Sequence, residues 1–292
     1  MIEPFTQGNR SAVPGLFDLP SISPLSSRLL AVIGNDDVSI KELANLIQQD
    51  ATLTARIISL ANSAYFGQTT PITSVEAAIF KSLGLRLTKN LALSIALAAP
   101  FDAGTVCPSF DKHYFWLKAV LTANLAYSLR DLFDAEHRPQ ADMAYLAGLL
   151  HDFGLLPLVC YLPKELNEIL NPITLGLSVH QQLQQVLDTD HHEVGAMLAA
   201  KWKIPAPVVN AIMHHVEMDY EGEDQELVAL IYLCSCWATQ YLETGEWNVI
   251  PECAETVVQR FSLNRNELIK NFRKQHHSFS ALESVADAIV GD

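Results

Sequence analysis

Apolar positions recur at helical spacing along almost the whole chain. Between Leu25 and Ile33 they fall at 25, 29, 30, 32 and 33, and Gly34-Asn35 ends the segment. Ser39 followed by Glu42 has the form of a capping box, in which a hydroxyl and a carboxylate satisfy free N–H groups at a helix start. The helix it opens sets Leu43, Ala44, Leu46 and Ile47 on one face. Asp50 caps a segment carrying Leu53, Ile57, Ile58, Leu60 and Ala61, closed at Asn62-Ser63. Ser74 caps another, with Ala77, Ala78, Ile79 and Leu83 inward and Gly84 as its stop. A further helix is predicted from Leu85 to Ala98, ended by Pro100.

Phe101 to Ser109 contains Gly, Pro and Cys without a period, and it divides the chain. Beyond it, helices are predicted over 112–133, 141–153, 163–170, 178–187, 191–202, 205–216, 224–242, 251–260 and 264–273. Sustained strand alternation is missing, so the expected fold class is all-α, arranged in two lobes. Residues 1–15, with Pro4, Gly8, Pro14 and Gly15, read as a flexible lead-in. Residues 16–104 then form an N-terminal helical lobe, and 108–288 a C-terminal one.

Composition narrows the function classes. The 292 residues are 49% apolar and 18% charged, enough to bury a sizeable core. The longest apolar run recognised, Leu91 to Phe101, falls short of the roughly 20 residues a membrane helix needs. Met1-Ile2-Glu3-Pro4 has no basic region leading into an apolar stretch, so no secretory signal is expected. Five cysteines without a CxxC pair fit reduced thiols in a cytoplasmic protein. A net charge of −14 with only 19 Lys and Arg repels duplex DNA and anionic lipid. Partners are therefore expected to be proteins, with no nucleic acid and no membrane insertion.

The ten histidines bring in candidate chemistry. Three clusters stand out: His151-Asp152, His191-His192 and His214-His215. Imidazole and carboxylate are donors for divalent metals. Neighbours on a helix diverge by about 100°, so each His-His pair serves two metals, or a metal and a ligand. A plainer reading stays open beside that one. His191 and His192 then sit exposed in a first helical turn, and His214 and His215 answer the dipole at a helix end.

A longer set of residues agrees in order and spacing. In the first half it comprises Leu19-Pro20 with Pro24, Leu43-Ala44-x-x-Ile47-x-x-Asp50, Leu60-Ala61-Asn62-Ser63-Ala64-Tyr65-Phe66-Gly67, and Ile72-x-Ser74 leading to Ala78-Ile79 and Leu83-Gly84. In the second half it comprises Phe115-Trp116, Ala147-Gly148-Leu149-Leu150-His151-Asp152-Phe153-Gly154, Asp190-His191-x-x-Val194-Gly195-Ala196-x-Leu198, Trp202-x-Ile204-Pro205 and Ala211-Ile212-x-x-His214-His215. Together, over 16–245, these resemble the HDOD domain, a relative of the HD phosphohydrolases and of the HD-GYP enzymes that cleave cyclic di-GMP. The resemblance implies an all-helical output or scaffold module of bacterial signal transduction, with an HD-like bundle in the C-terminal half.

It also implies where metal ligands belong. An HD site takes a histidine from the helix of Phe115-Trp116, the His-Asp pair, and a distal aspartate. Lys118 stands at the first position and Ser235 at the last. His113 is five residues earlier, about 140° around a helix, and is a poor substitute. His151, Asp152, His191, His214 and His215 persist as vestigial or candidate ligands, and no Gly-Tyr-Pro follows His215. Lys118 is expected to pair with Asp152 in the space of a metal. The expected function is a non-catalytic regulatory module, without catalytic residues or cofactor, that contacts signalling proteins through a groove between lobes or a homodimer face. Two alternatives stay open: a metal-dependent phosphohydrolase using Mn, Fe, Zn or Mg on a nucleotide or cyclic dinucleotide, and a nucleotide sensor that does not cleave. No receiver, kinase or DNA-binding domain is read on this chain, so its input is expected from elsewhere.

Four further features have two readings each. Cys234 and Cys236 flank Ser235 and either complete a zinc site or pack a buried helix. Ala78 to Leu91 has the outline of a helix-turn-helix, but its second helix is too apolar to read bases and is expected to be core. Trp116, Trp202 and Trp237 either line a pocket or fill the bundle. The acidic run from Glu217 to Glu226 reads as a solvated loop that repels phosphate.

Overall fold

The structure, a computed structural model, describes residues 19–33, 35, 37–102, 107–171 and 178–291, and no strand occurs among them. Residues 1–15, read as a lead-in, and 103–106, within the dividing segment, lie outside the described residues, as does the stop residue Gly34.

Among the described residues, five α-helices form the first half: α1 (Pro24–Ala31), α2 (Ile40–Ile47), α3 (Ala51–Asn62), α4 (Val75–Ala78) and α5 (Gly84–Ala98). Their starts follow local chemistry. Ser39 Oγ accepts from the Glu42 N–H at 3.2 Å while Glu42 Oε2 accepts from the Ser39 N–H at 2.9 Å, closing the capping box. Asp50 Oδ1 accepts from Leu53 N–H at 2.7 Å, and Ser74 Oγ from Ala77 N–H at 3.2 Å. α4 runs on into one wider π turn, Ile79–Leu83, and Gly84 at φ 74° lets the chain swing into α5. The helix-turn-helix outline is core, as its apolarity implies. Lys89 is buried against Asp142, and the Arg86 guanidinium lies over the Tyr127 ring at 3.7 Å.

The second half continues with α6 (Lys112–Leu129), α7 (Ala141–Leu150), α8 (Leu155–Tyr161), α9 (Pro163–Ile169), α10 (Val179–Leu187), α11 (His191–Lys201), α12 (Ala206–His214), α13 (Gln225–Thr244), α14 (Glu255–Arg260), α15 (Arg265–His277) and α16 (Phe279–Val290). Two differences from the sequence reading matter. The predicted helix over 141–153 stops at Leu150; a turn over 151–154 follows, and then α8, which the periodicity did not resolve. Leu91 to Phe101 is also not the longest apolar stretch. Ala141–Tyr161 spans 21 residues, and its most apolar 18-residue window has mean hydropathy 1.5 and is 89% buried inside the protein. That stretch is core, bent at its middle.

α6 and α7 form the centre, with α13 and α16 packed on α6, and α12 on α7 and α13. Their crossing is close because Gly148 faces Ala123: a Cβ there would lie 2.5 Å from the Ala123 Cα. α16 also packs on α3, and Lys201 and Trp202 of α11's end donate to the carbonyls of Leu19 and Pro20 at 2.7 and 2.8 Å. One continuous apolar core thus joins residues of both halves, among them Leu43, Ile57, Leu121, Trp237 and Phe272. Trp116, Trp202 and Trp237 are all buried in it.

Candidate functional site

The turn after α7 carries the site. His151 follows the last residue of α7, and its Nδ1–H donates to the Gly148 carbonyl at 2.8 Å. That bond leaves Nε2 facing Asp152 Oδ2 at 3.2 Å, without a hydrogen bond of its own. His215, just past α12, is held the same way, its Nδ1–H shared between the carbonyls of Ala211 (3.2 Å) and Ile212 (3.1 Å). Its Nε2 stands 3.6 Å from Asp152 Oδ1. His191 opens α11 and places Nε2 3.4 Å from the same oxygen. Two glycines bring it there: a Cβ on Gly154 would fall 1.9 Å from the His191 carbonyl oxygen and 2.6 Å from the Gly195 nitrogen. No other residue permits α11 to approach the turn so closely.

Lys118 completes the group. From α6 its Nζ donates to Asp152 Oδ2 at 2.8 Å, the ion pair expected from the sequence. Burial resists the charge on Asp152, but His151 and Lys118 outweigh it and hold the carboxyl well below the usual range. Burial likewise opposes the Lys118 charge, and Asp152 overcomes it, pushing the ammonium up. Burial holds the His151 imidazole down despite Asp152. At neutral pH the centre is therefore a carboxylate and an ammonium in contact, ringed by imidazoles.

A cleft of about 1140 Å³ opens over this centre. Lys118, Asp152, His191 and His215 lie in its floor, with Tyr114, Phe115, Ser235 and Cys236 among the walls and Asp111, Glu243 and Glu252 also lining it. Ser235 Oγ is engaged with the Tyr232 carbonyl at 3.1 Å. Cys234 is fully buried, and burial pushes its thiol well up, which suits packing rather than a thiolate ligand. None of the three tryptophans lines the cleft.

Of the residues singled out from sequence, the structure brings together His151, Asp152, His191, His215, Lys118 and, on the cleft wall, Ser235. It does not bring in His214. That ring faces away, 2.8 Å from Glu217 Oε1 and stacked on Tyr220 at 4.4 Å between centroids. The acidic run is in this respect not merely solvated: Glu217 holds His214, and Asp224 accepts from Asn210 at 2.9 Å. His113 pairs with Asp287 of α16, away from the centre. From sequence, His192 is a candidate only as the neighbour of His191, Asp190 is only part of the family resemblance, and His180 is not singled out, although these three also cluster. Asp190 caps α11, accepting from the N–H groups of His192 (2.8 Å) and Glu193 (2.9 Å). His180 reaches it from α10, a contact that depends on the chain's return between the two helices.

Comparison with known proteins identifies the family and the fold. The model of the HDOD domain matches residues 19–218, ending before α13. A relative from Treponema pallidum (strain Nichols), described as uncharacterized, is 30% identical over 230 residues, covering 76% of this chain and 43% of its own length. Among solved structures, a protein from Marinobacter aquaeolei VT8 named for signal transduction is 22% identical with TM-score 0.79, over 94% of this chain and 60% of that one. A protein from Shewanella amazonensis SB2B named as a phosphohydrolase is 20% identical with TM-score 0.74, over 94% and 97%. At these identities the two structures establish a shared fold. The chain spans under two thirds of the length of the Treponema and Marinobacter proteins.

Proposed function

The chain belongs to the HDOD domain family, and from that premise we propose that it is a non-catalytic, cytoplasmic regulatory module that works by contact with other signalling proteins. In this reading the Lys118 ammonium closes the HD-type centre in place of a metal. The observation that carries it is the 2.8 Å contact between Lys118 Nζ and Asp152 Oδ2. A dication bound to the same carboxylate would lie roughly 4 Å from the ammonium, where a unit charge and a double charge repel by about 8 kcal/mol at an effective dielectric of about 20. Ser235 adds no charge of its own where a distal carboxylate would bind metal, and its hydroxyl is already bonded. The residues present at Asp152 therefore do not fit a divalent ion while Lys118 is protonated. A surface of net charge −14 favours protein partners with basic faces over nucleic acid.

One observation favours the rival reading, a metal-dependent phosphohydrolase. His151 and His215 each give Nδ1–H to a backbone carbonyl and turn Nε2 inward, as metal-bound imidazoles do. Hydrolysis assays on nucleotides and cyclic dinucleotides with Mn²⁺, Fe²⁺, Zn²⁺ or Mg²⁺ separate the two. We expect no turnover by the wild type. Turnover abolished by His151→Ala would establish the rival. A thermal-shift panel of the same nucleotides addresses the sensor reading, since a ligand that binds the folded state raises its melting temperature.

A further inference from the structure

A second group of donors stands where α10 meets the start of α11, beyond the Lys118–Asp152 centre. His180 Nδ1 lies 2.6 Å from Asp190 Oδ2, and His192 Nδ1 lies 3.5 Å from Asp190 Oδ1. Neither ring nitrogen makes a hydrogen bond. At 2.6 Å an aligned N–H would form a short, strong bond, so the His180 nitrogen is directed past the oxygen rather than at it. The His192 side chain is only 3% exposed, and leaving its polar nitrogen unpaired there is costly. Asp190 spends Oδ1 on two backbone N–H groups, while Oδ2 faces His180. Among the described residues Asp190 pairs with no lysine or arginine, in contrast to Asp152.

We propose that His180, Asp190 and His192 form a cation site that takes one divalent metal of the zinc type, with its remaining position open to the cleft. The three donor atoms lie within 4.8 Å of one another, and His180 and His192 both line the cleft. Two imidazoles and one carboxylate suit zinc, iron, nickel or copper better than magnesium or calcium, which prefer all-oxygen shells. Three protein ligands leave a fourth position for water or an incoming group. The site is independent of the reading of Lys118: it stands on a carboxylate that no ammonium has claimed. Metal there would still be felt at the inner centre, because the His192 ring packs against His191 at 3.7 Å and against His215 at 4.6 Å between centroids.

Titration with Co²⁺, whose visible absorption reports a tetrahedral site with nitrogen and oxygen donors, tests the proposal on the full chain. The wild type takes up one equivalent. His180→Ala, at a partly exposed side chain where refolding is not at stake, weakens uptake by about a hundredfold or more, at least the upper end of the cost of losing a mere supporting partner. Asp152→Asn still takes up one equivalent. Uptake by His180→Ala equal to wild type overturns the outer site. Uptake abolished by Asp152→Asn and indifferent to His180→Ala puts the metal at the inner centre, overturning both this site and the closed-centre reading. No uptake by the wild type overturns the outer site alone.

Discussion

α7 begins and ends at a carboxylate paired with a lysine, and the two pairs have become different things. Asp142, in its first turn, meets Lys89 of α5 at 3.6 Å. Asp152, just past its end, meets Lys118 of α6 at 2.8 Å. At the first pair both residues are sealed in the core, at 7% and 3% exposure, and Lys89 Nζ also donates to the Asn35 carbonyl. No other charged group pairs with Asp142 among the described residues, and its Oδ1 is unpartnered. At the second pair three imidazoles face the same carboxylate, and the floor opens on a cleft. A buried ion pair by itself is a fastening that fixes two helices in register, often at no net gain in stability. It becomes a site when further donors share the charge and solvent can reach it.

The contrast can be broken at several points. Lys89→Ala strands Asp142 without a partner and is expected to cost about 3–5 kcal/mol, read as a lower midpoint in urea. A loss below about 1 kcal/mol, the range of exposed pairs, would mean that Asp142 is already hydrated. Gly148→Ala strikes the second pair through its frame, because its Cβ would meet the Ala123 backbone at 2.5 Å and wedge α6, which carries Lys118, from α7. Overpacking of this kind costs about 1–3 kcal/mol, and a neutral result would refute the tight α6–α7 crossing. Lys118→Ala costs less than Lys89→Ala, about 1–3 kcal/mol, since the Lys118 side chain is 20% exposed and three imidazole nitrogens still face Asp152. Should it cost as much as Lys89→Ala, the two pairs are alike and the comparison fails.

Acid gives the mildest test. Burial, with His191 next in effect, holds the His192 imidazole well below 6.5, and burial holds His151 down as well. The unfolded chain therefore binds protons that the folded chain refuses, so stability falls as pH drops below 6.5. The Asp152 carboxyl is depressed instead by the His151 ring and the Lys118 ammonium beside it, so its contribution is full above 3.8 and is lost only as pH falls below that. With chelator present, the melting temperature should hold level above about pH 7 and decline from about pH 6.5. His192→Gln should flatten the upper part of that decline. A melting temperature constant down to about pH 5 would contradict the neutral, buried imidazoles.

Much of this was written locally in the chain. Ser39 with Glu42, Asp50 and Ser74 announce their helices because a cap is chemistry between residues two or three apart. The break between α7 and α8 was hidden because a helix buried all round has no polar face, and the period that marks a boundary vanishes. α16 was missed for another reason: only Ser278 separates it from α15, with neither glycine nor proline to mark the turn. In the site, the His151-Asp152 dipeptide and the lysine opposite were legible from spacing and resemblance. His214 misled because two adjacent histidines at a helix end point to different places, one into the cluster and one onto Glu217. His180 could not be read at all, since nothing near it in sequence foretells Asp190.

In the proposed module an ammonium, not a metal, neutralises Asp152. Anomalous diffraction from crystals of the wild-type chain soaked in Mn²⁺ at neutral pH tests it most directly. No manganese peak is expected at Asp152, with Lys118 Nζ still in contact with Oδ2. A manganese peak bonded to Asp152, with Lys118 swung aside, would contradict it.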